Sequence, residues 1–282
     1  MIDQASELRK LVLQSAREQV ATAGPSPRLV VATSGQSGVG VTTIAVNLSV
    51  ALAEHGSRVV IVDADFDRSD VSKLCGLNDN QGVGDVLVAR RDIHEVLQRG
   101  PAGIQVVPGL FAPGNEGEWS ETAQRRLLRQ LRTLGRHAEV VVLDAGSASS
   151  GFLRRCCEAA DQTLLVTTAD PQSVMDTYAR VKTSVADLKS ICLQLVVNQC
   201  SSQTESVDVH RRIDHSCQRF LGHQVQLAAT IPMDPQVSSA AARAIPFVLG
   251  APNSVASRTL GQLADAILRR RSGQQESSRK AA

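Results

Sequence analysis

From residue 29 onward, short continuous apolar runs alternate with longer stretches in which apolar residues recur at helical spacing. The runs lack the alternation of polar and apolar positions that a half-exposed strand shows, which predicts strands covered on both faces. They lie at residues 59–62, 140–143, 164–166 and 193–197. Helices long enough for right-handed crossovers are predicted between and after them, at about residues 121–136, 172–188, 206–221 and 254–271. The pattern predicts an α/β fold with a mainly parallel sheet flanked by helices.

The first 20 residues predict a separate helix. Leu8, Leu11 and Val12 recur at helical spacing, and Asp3 stands where an N-cap residue accepts backbone N–H groups. Residues 21–27, ATAGPSP, follow as a predicted linker, because small residues with glycine and proline and no apolar pattern are typical of connections. We therefore expect this helix to be tethered beside the main domain.

The rest of the chain predicts one domain, residues 28–271, and a disordered tail, residues 272–282. A chain of 282 residues is within the size that one core supports, and two smaller domains are the less favoured alternative. The tail, SGQQESSRKAA, is polar and has no apolar periodicity, which predicts disorder. The chain has no run of about 18 apolar residues, so no membrane-spanning helix is expected.

Composition narrows the choice of partners and compartment. The apolar fraction of 43% and the charged fraction of 21% are ordinary for a globular protein, and a net charge of +2 gives no reason to expect nucleic acid as a partner. The six cysteines show no C-x-x-C spacing, which favours reduced core thiols over a disulfide framework or a metal site. The charged start of the chain does not have the pattern of a signal peptide. We therefore expect a cytoplasmic protein.

A glycine-rich loop, TSGQSGVGVTT at residues 33–43, lies between the first predicted strand, LVVAT at residues 29–33, and a predicted helix, TTIAVNLSVALAEHG at residues 42–56. A strand, a glycine-rich loop, a Thr-Thr pair and a helix together place backbone N–H groups and a positive helix end around an anion. Thr42 would offer its hydroxyl to Mg²⁺. The predicted ligand-binding set is Gly35, Gln36, Ser37, Gly38, Val39, Gly40, Val41, Thr42 and Thr43. The alternative is an ordinary strand-to-helix turn that binds nothing.

Polar residues follow three of the apolar runs. Asp63 and Asp65 end the run at 59–62, and Asp144 ends VVVLD and is followed by Ala145 and Gly146. Next to a phosphate loop, acids at strand ends favour a role in metal binding and catalysis, although paired aspartates are also common as solvated turn residues. Asn198 ends the run LQLVVN.

The loop resembles the deviant Walker A motif of MinD/ParA ATPases, K-G-G-x-G-K-[ST], which aligns with residues 36–42. The resemblance implies a three-layer P-loop NTPase fold of the SIMIBI class that binds ATP or ADP with Mg²⁺. Both lysine positions are neutral here, being Gln36 and Val41. A charge-assisted hydrogen bond is worth roughly 1.5–3 kcal/mol, and a missing transition-state cation costs on the order of 10³–10⁵ in rate. We expect weakened or lost nucleotide binding and impaired hydrolysis, with Arg68 as a candidate substitute charge.

The same resemblance assigns roles to the strand-end residues. Asp65 would position the attacking water, and Asp63 would lie near Mg²⁺. Asp144 would hold Mg²⁺ through water, so that the implied metal set is Thr42, Asp63 and Asp144. Gly146 would sense the γ-phosphate. Asn198 would read the adenine edge, or else cap a loop.

Two features resemble the flagellar, FlhG-type branch of the MinD/ParA family. Residues 82–109 and 231–258 follow the sequence pattern of that branch. The D-Q-A-x-x-L-R element is also present, as Asp3, Gln4, Ala5, Leu8 and Arg9. In that branch this element forms a helix that stimulates GTP hydrolysis by FlhF, a signal-recognition-type GTPase.

The resemblance to the flagellar branch implies a regulator of flagellar number or placement that acts on an FlhF-type GTPase and forms a homodimer in some states. The alternatives are a plain amphipathic start to the chain and an active ATPase whose dimer depends on ATP. Leu260, Leu263 and Ile267 predict a last helix that packs on the domain rather than on lipid, so transient membrane association is not favoured. Peripheral localisation at the membrane or at the cell pole is left open as an alternative.

Overall fold

The structure, a computed structural model, describes residues 25–66, 68–78, 80–109, 119–189 and 191–280, with side chains as far as residue 269. The predicted N-terminal helix, its D-Q-A element and most of the predicted linker lie outside the described residues. The predicted domain lies largely within them.

Eight strands of the described chain form one sheet in the order β3-β4-β2-β5-β1-β6-β7-β8. Neighbouring strands run parallel except β3 and β4, which are antiparallel, so the predicted mainly parallel sheet is confirmed. The strands are β1 (Arg28–Ser34), β2 (Val59–Asp63), β3 (Gln98–Arg99), β4 (Gln105–Val107), β5 (Val140–Asp144), β6 (Gln162–Thr167), β7 (Leu193–Cys200) and β8 (Val225–Pro232).

Helices cover both faces of the sheet, as the crossover lengths predict. They are α1 (Val41–Glu54), α2 (Val71–Leu74), α3 (Val83–Leu87), α4 (Glu121–Thr133), α5 (Ser150–Ala159), α6 (Pro171–Ser184), α7 (Gln203–Leu221), α8 (Pro235–Ala241), α9 (Phe247–Gly250) and α10 (Val255–Lys280). Short 3₁₀ turns lie at Ile93–Glu95, Pro101–Gly103 and Leu134–Arg136.

Alternate residues of each central strand point into two separate apolar cores. In β1, Leu29 and Val31 belong to the core under α4 to α7, whereas Val30 and Ala32 belong to the core under α1 and α10. All four side chains are buried. A strand buried on both faces is apolar on both faces along most of its length, and this is why the sequence shows continuous runs instead of alternation.

The sequence analysis predicts no counterpart for strands β3, β4 and β8 or for the short helices α2, α3, α8 and α9. Strand β8 had no predicted counterpart, because its inner positions include alanine and threonine, and it extends the sheet beyond β7. Helix α10 continues to Lys280, beyond the predicted helix end at residue 271, and the predicted disorder of the tail stays a prediction. Glutamine, glutamate, arginine and lysine are good helix formers, and this stretch has no proline to end the helix.

Candidate functional site in the cleft at the strand ends

The strand order gathers the predicted site at one edge of the sheet. Strands β2, β5 and β1 are consecutive neighbours, and Asp63 and Asp144 pair directly across β2 and β5. Adjacent strands lie about 4.8 Å apart, so the two carboxylates meet at the carboxyl ends of the strands. The glycine-rich loop follows β1 at the same edge of the sheet. The loop and the acids, which the sequence predicts separately, therefore form a single site.

The loop depends on glycines for two different physical reasons. Gly38 and Gly40 have φ values of 85° and 95°, in the left-handed region that residues with a Cβ rarely adopt. Gly35 packs instead against helix α6, where a Cβ atom would stand 2.1 Å from the backbone carbon of Asp176. Gly35 therefore fixes the loop against the fold, and it does not line the cleft.

Asn198, at the end of β7, holds the loop from the side. Its Nδ2 donates a 2.8 Å hydrogen bond to the carbonyl oxygen of Val39, and both residues are buried. A Cβ atom on Gly40 would lie 2.5 Å from the same Nδ2. Of the two roles left open for Asn198, this contact supplies the structural one, since the amide caps a loop carbonyl.

The cleft between the loop and the segment after β2 has a volume of about 310 Å³. Of the residues predicted to bind ligand, eight line it: Gln36, Ser37, Gly38, Gly40, Val41, Thr42, Thr43 and Gly146. Asp65, Arg68, Asp70, Lys73 and Leu74 line the opposite wall. The sequence analysis missed Asp70 and Lys73, although the charged composition of the segment after D-x-D was a visible signal for them.

The two lysine positions of the family motif are structurally different. Val41 is the first residue of α1 and is only 6% exposed, because it packs into the core under α1. Gln36 is half-buried at the loop, and its carbonyl oxygen accepts a 2.6 Å hydrogen bond from the Ser34 hydroxyl. No cation from the described residues of the loop reaches the cleft.

Asp63 anchors the segment that follows β2. Its Oδ1 accepts the N–H of Asp65 at 3.3 Å, and its Oδ2 accepts the N–H of Val71 at 3.2 Å. The side chain is fully buried, and burial, with Asp144 nearby, raises its pKa well above the usual range. Both oxygens are therefore engaged by backbone, which gives Asp63 a positioning role in this conformation.

Asp144 is buried from solvent, and one of its two carboxylate oxygens has no hydrogen-bond partner in the part of the chain that the structure describes. Its Oδ1 accepts the Gly146 N–H at 3.0 Å, but its buried Oδ2 has no hydrogen-bond partner among the described residues. Burial raises the pKa of Asp144 to about 6, against the opposing influence of the Thr42 hydroxyl and the Gly146 N–H. A buried acceptor without a donor is costly, which makes this oxygen the best candidate for contact with a cation or its bound water.

Asp65 and Gly146 form the floor of the cleft. Asp65 is 8% exposed, and its Oδ1 accepts the N–H of Arg68 at 3.2 Å. Gly146 has a φ of 48°, and a Cβ atom there would lie 2.0 Å from Oδ2 of Asp65. Only glycine admits this carboxylate so close to the backbone.

The residues fit a nucleotide with Mg²⁺ in part. No group of three or more described histidines, cysteines and acids is arranged to hold a metal ion by itself. Mg²⁺ commonly uses one or two carboxylates together with phosphate oxygens and water, and Asp144 with the Thr42 hydroxyl suits that arrangement. The loop glycines and the start of α1 suit a phosphate, whereas the neutral Gln36 and Val41 do not supply its counter-charge.

Comparison with known proteins decides the family. The family model described as the CobQ/CobB/MinD/ParA nucleotide binding domain matches residues 30–247. The chain belongs to this family. The predicted P-loop fold and the predicted MinD/ParA membership are thereby confirmed.

The chain is similar to two curated proteins, one of which is named for the flagellum. The chain is 29% identical over 213 residues to the antiactivator FleN of Pseudomonas aeruginosa, which covers 76% of each protein. It is 23% identical over 193 residues to the flagellum site-determining protein YlxH of Helicobacter pylori, covering 66% of this chain and 63% of that protein. The predicted resemblance to the flagellar branch is confirmed by these similarities.

Solved MinD structures share the fold. The septum site-determining protein MinD of Pyrococcus horikoshii, solved as a complex with Mg-ADP, matches with a TM-score of 0.72 and 21% identity, over 86% of this chain and 96% of that one. The cell division ATPase MinD of Pyrococcus furiosus matches with a TM-score of 0.71 and 24% identity, over 86% and 98%. In the part of the chain that the structure describes, no helix is both long enough and apolar enough to cross a membrane.

Proposed function

We propose that this member of the MinD/ParA family is an FlhG-like regulator of flagellar number or placement, with weak or no ATP hydrolysis. It acts by contact with an FlhF-type GTPase. The observation that carries the proposal is the replacement of both loop lysines, by the buried Val41 and by Gln36. Three acids remain at the site: Asp65 lines the cleft, and Asp63 and Asp144 are buried beside it at the strand ends. Its similarity to FleN and YlxH supports the flagellar assignment.

The charge balance of the cleft supports slow turnover. Asp65 lines the cleft and Asp63 and Asp144 are buried at the strand ends, whereas the loop presents only neutral side chains to a phosphate. Rapid γ-phosphate cleavage needs positive charge where negative charge develops, and Mg²⁺ would supply part of that charge when bound. The two missing ammonium groups are not replaced on the loop itself.

The proposed activator is the D-Q-A element at the start of the chain, which lies outside the described residues. A short helix carrying Gln4 would orient the attacking water of the partner GTPase, as a glutamine does in other GTPases. This chain would then assist catalysis in the partner GTPase. Its own P-loop domain would either respond to nucleotide or serve only as a structural support for the helix.

The test is the GTP turnover of a purified FlhF-type GTPase with and without this protein. We expect stimulation by the wild type and by Gln14→Ala, and loss of stimulation by Gln4→Ala. Gln14 is the matched control because it is a glutamine of the same predicted helix outside the D-Q-A element. Absence of stimulation, or equal stimulation by the Gln4 variant, would remove the proposal.

The second candidate is an ATP-driven dimer switch, favoured by the retention of Thr42, Asp63, Asp65 and Asp144 around the cleft. Phosphate release and the oligomeric state in Mg-ATP discriminate it from the first. Turnover at the rate of lysine-bearing relatives, together with an ATP-dependent dimer, would establish the switch in place of the pseudo-enzyme.

A further inference from the structure

We propose that Arg68 and Lys73, on the wall opposite the loop, supply the positive charge that the loop has lost and bind the phosphate chain of a Mg-bound nucleoside di- or triphosphate. The inference rests on the nucleotide-binding part of the proposed function. The positive charge of the cleft would then come from the segment after β2 instead of from the loop.

Both side chains face the cleft shared with the loop. Among the described residues that line it, Arg68 and Lys73 are the only cations. Across the cleft stand the backbone of Gly38 and Gly40 and the hydroxyl of Thr42. A phosphate held at the loop would therefore lie between the positive start of α1 on one side and two cationic side chains on the other.

Asp70 joins the two cations. Its Oδ1 lies 2.8 Å from Lys73 Nζ, and its Oδ2 lies 3.6 Å from Arg68 Nη2. By formal charge, Arg68 and Lys73 balance Asp70 and the neighbouring Asp65, so the attraction to a phosphate comes from the placement of the two cations and not from a net positive charge. A guanidinium can also contact two phosphate oxygens at once.

A purely structural role explains this cluster poorly. The side chains of Arg68 and Lys73 are 63% and 76% exposed, and exposed ion pairs contribute little to folding stability. The Asp70 side chain does not cap α2, although the residue precedes that helix. Arg68 and Lys73 are thus available to bind a ligand. Their charges would stabilise the bound ligand more than they stabilise the folded protein.

The segment that carries the cations is tied to the acids of the site. The Arg68 N–H donates to Asp65 Oδ1 at 3.2 Å, and the Val71 N–H donates to Asp63 Oδ2 at 3.2 Å. The Ser69 hydroxyl also donates to the carbonyl oxygen of Gly109. These bonds fix the backbone on either side of the cations, so that their side chains start from defined points on the cleft wall.

The experiment measures Mg-ADP and Mg-ATP affinity by titration calorimetry in the full-length protein at two salt concentrations. The double variant Arg68→Gln/Lys73→Gln should bind at least tenfold more weakly and with a smaller dependence on salt. Arg68→Lys, which keeps the charge, should retain most of the affinity. Asp70→Asn, which leaves the two cations without their acid, should bind as tightly as the wild type or more tightly.

Arg90→Gln is the matched control, because Arg90 forms a similar exposed ion pair with Asp85 at 2.9 Å, and it does not line the cleft. It should change affinity by less than twofold. Circular dichroism and thermal melting check that each variant is folded. Unchanged affinity in the double variant overturns the inference, as does the absence of nucleotide binding by the wild type.

The GTPase assay on the same preparations separates this inference from the proposed function. If the inference is right, the double variant binds nucleotide weakly and still stimulates the partner GTPase in the absence of added ATP. Loss of nucleotide affinity without any stimulation by the wild type would leave the inference standing and remove the activator proposal. Normal nucleotide affinity of the double variant, together with stimulation of the GTPase by the wild type, would remove the inference and leave the activator proposal standing.

Discussion

The loop and the strand ends of the cleft have departed from the family pattern to different degrees. The strand ends keep Asp63, Asp65 and Asp144, each buried and bonded to the backbone of the site. The loop keeps its glycines and threonines, but its two lysine positions hold Gln36 and Val41. The acids are built into the fold by hydrogen bonds, whereas a lysine that reaches into a cleft supports little besides its ligand.

This difference shows which parts of a nucleotide site the fold itself requires. The removal of Asp63 would leave the backbone N–H groups of Asp65 and Val71 without acceptors, so the fold selects for this acid even where turnover is lost. Val41, by contrast, packs into the core and adds apolar burial. The retention of these acids is therefore weak evidence of catalysis, because the fold needs them for a second reason.

The largest expected effect is a loss of folding stability at the strand ends. Gly146→Ala should lower the free energy of unfolding by about 3 kcal/mol, because it combines overpacking against Asp65 with a strained positive φ. Chemical denaturation measures it. The control is Gly56→Ala, which has a φ of 85° and open space around its Cβ and should cost only the strain, about 1 kcal/mol. Equal losses in the two variants would contradict the close approach of Asp65.

The next effect concerns the charge on Asp144. Its folded pKa of about 6 lies above the ordinary value of 3.8, so ionisation of the native state costs stability as the pH rises from about 4 to 6. Asp144→Asn should therefore stabilise the metal-free protein by up to about 3 kcal/mol at pH 8, and by nothing at pH 4. Denaturation in a chelator at both pH values measures this. The exposed Asp187→Asn is the control, and a gain that is equal at both pH values would refute the burial argument.

A third change restores charge to the loop side. Val41→Lys should tighten Mg-nucleotide binding by about ten- to a hundredfold, because one charge-assisted hydrogen bond to phosphate is worth roughly 1.5–3 kcal/mol. Titration calorimetry measures it, and Val41→Leu, which keeps an apolar side chain, should give no gain. If affinity were unchanged by the lysine, the missing charge would not be the cause of weak binding.

The smallest expected effect tests the hydrogen bond that joins the end of β7 to the glycine-rich loop. Asn198→Ala removes the hydrogen bond to the Val39 carbonyl and should cost about 1 kcal/mol of stability. Nucleotide affinity should fall by less than tenfold if the amide only supports the loop. Gln199→Ala in the same strand, with its side chain exposed, serves as the comparison. A far larger loss of affinity for ATP than for inorganic pyrophosphate would point instead to contact with the base.

Much of the fold was readable from the sequence for a simple physical reason. Strands buried on both faces are apolar along most of their length, so β2, β5, β6 and β7 stand out as continuous runs. The edge strand β8 does not, because its polar and small residues carry a weaker pattern. Helix α10 extends past residue 271, where the apolar periodicity ends, because the glutamine, glutamate, arginine and lysine residues that follow have good helix propensity.

The sequence by itself determined the order of elements, the glycine-rich loop, the acids and the loss of the two lysines, because each is a property of residues close together in the chain. Only the tertiary structure decided what those residues contact. The order of strands placed Asp63 beside Asp144, sent Gly35 against α6 and Asn198 to Val39, and brought Arg68 and Lys73 to face the loop. Contacts between distant segments depend on strand order and crossover geometry, which local patterns do not encode.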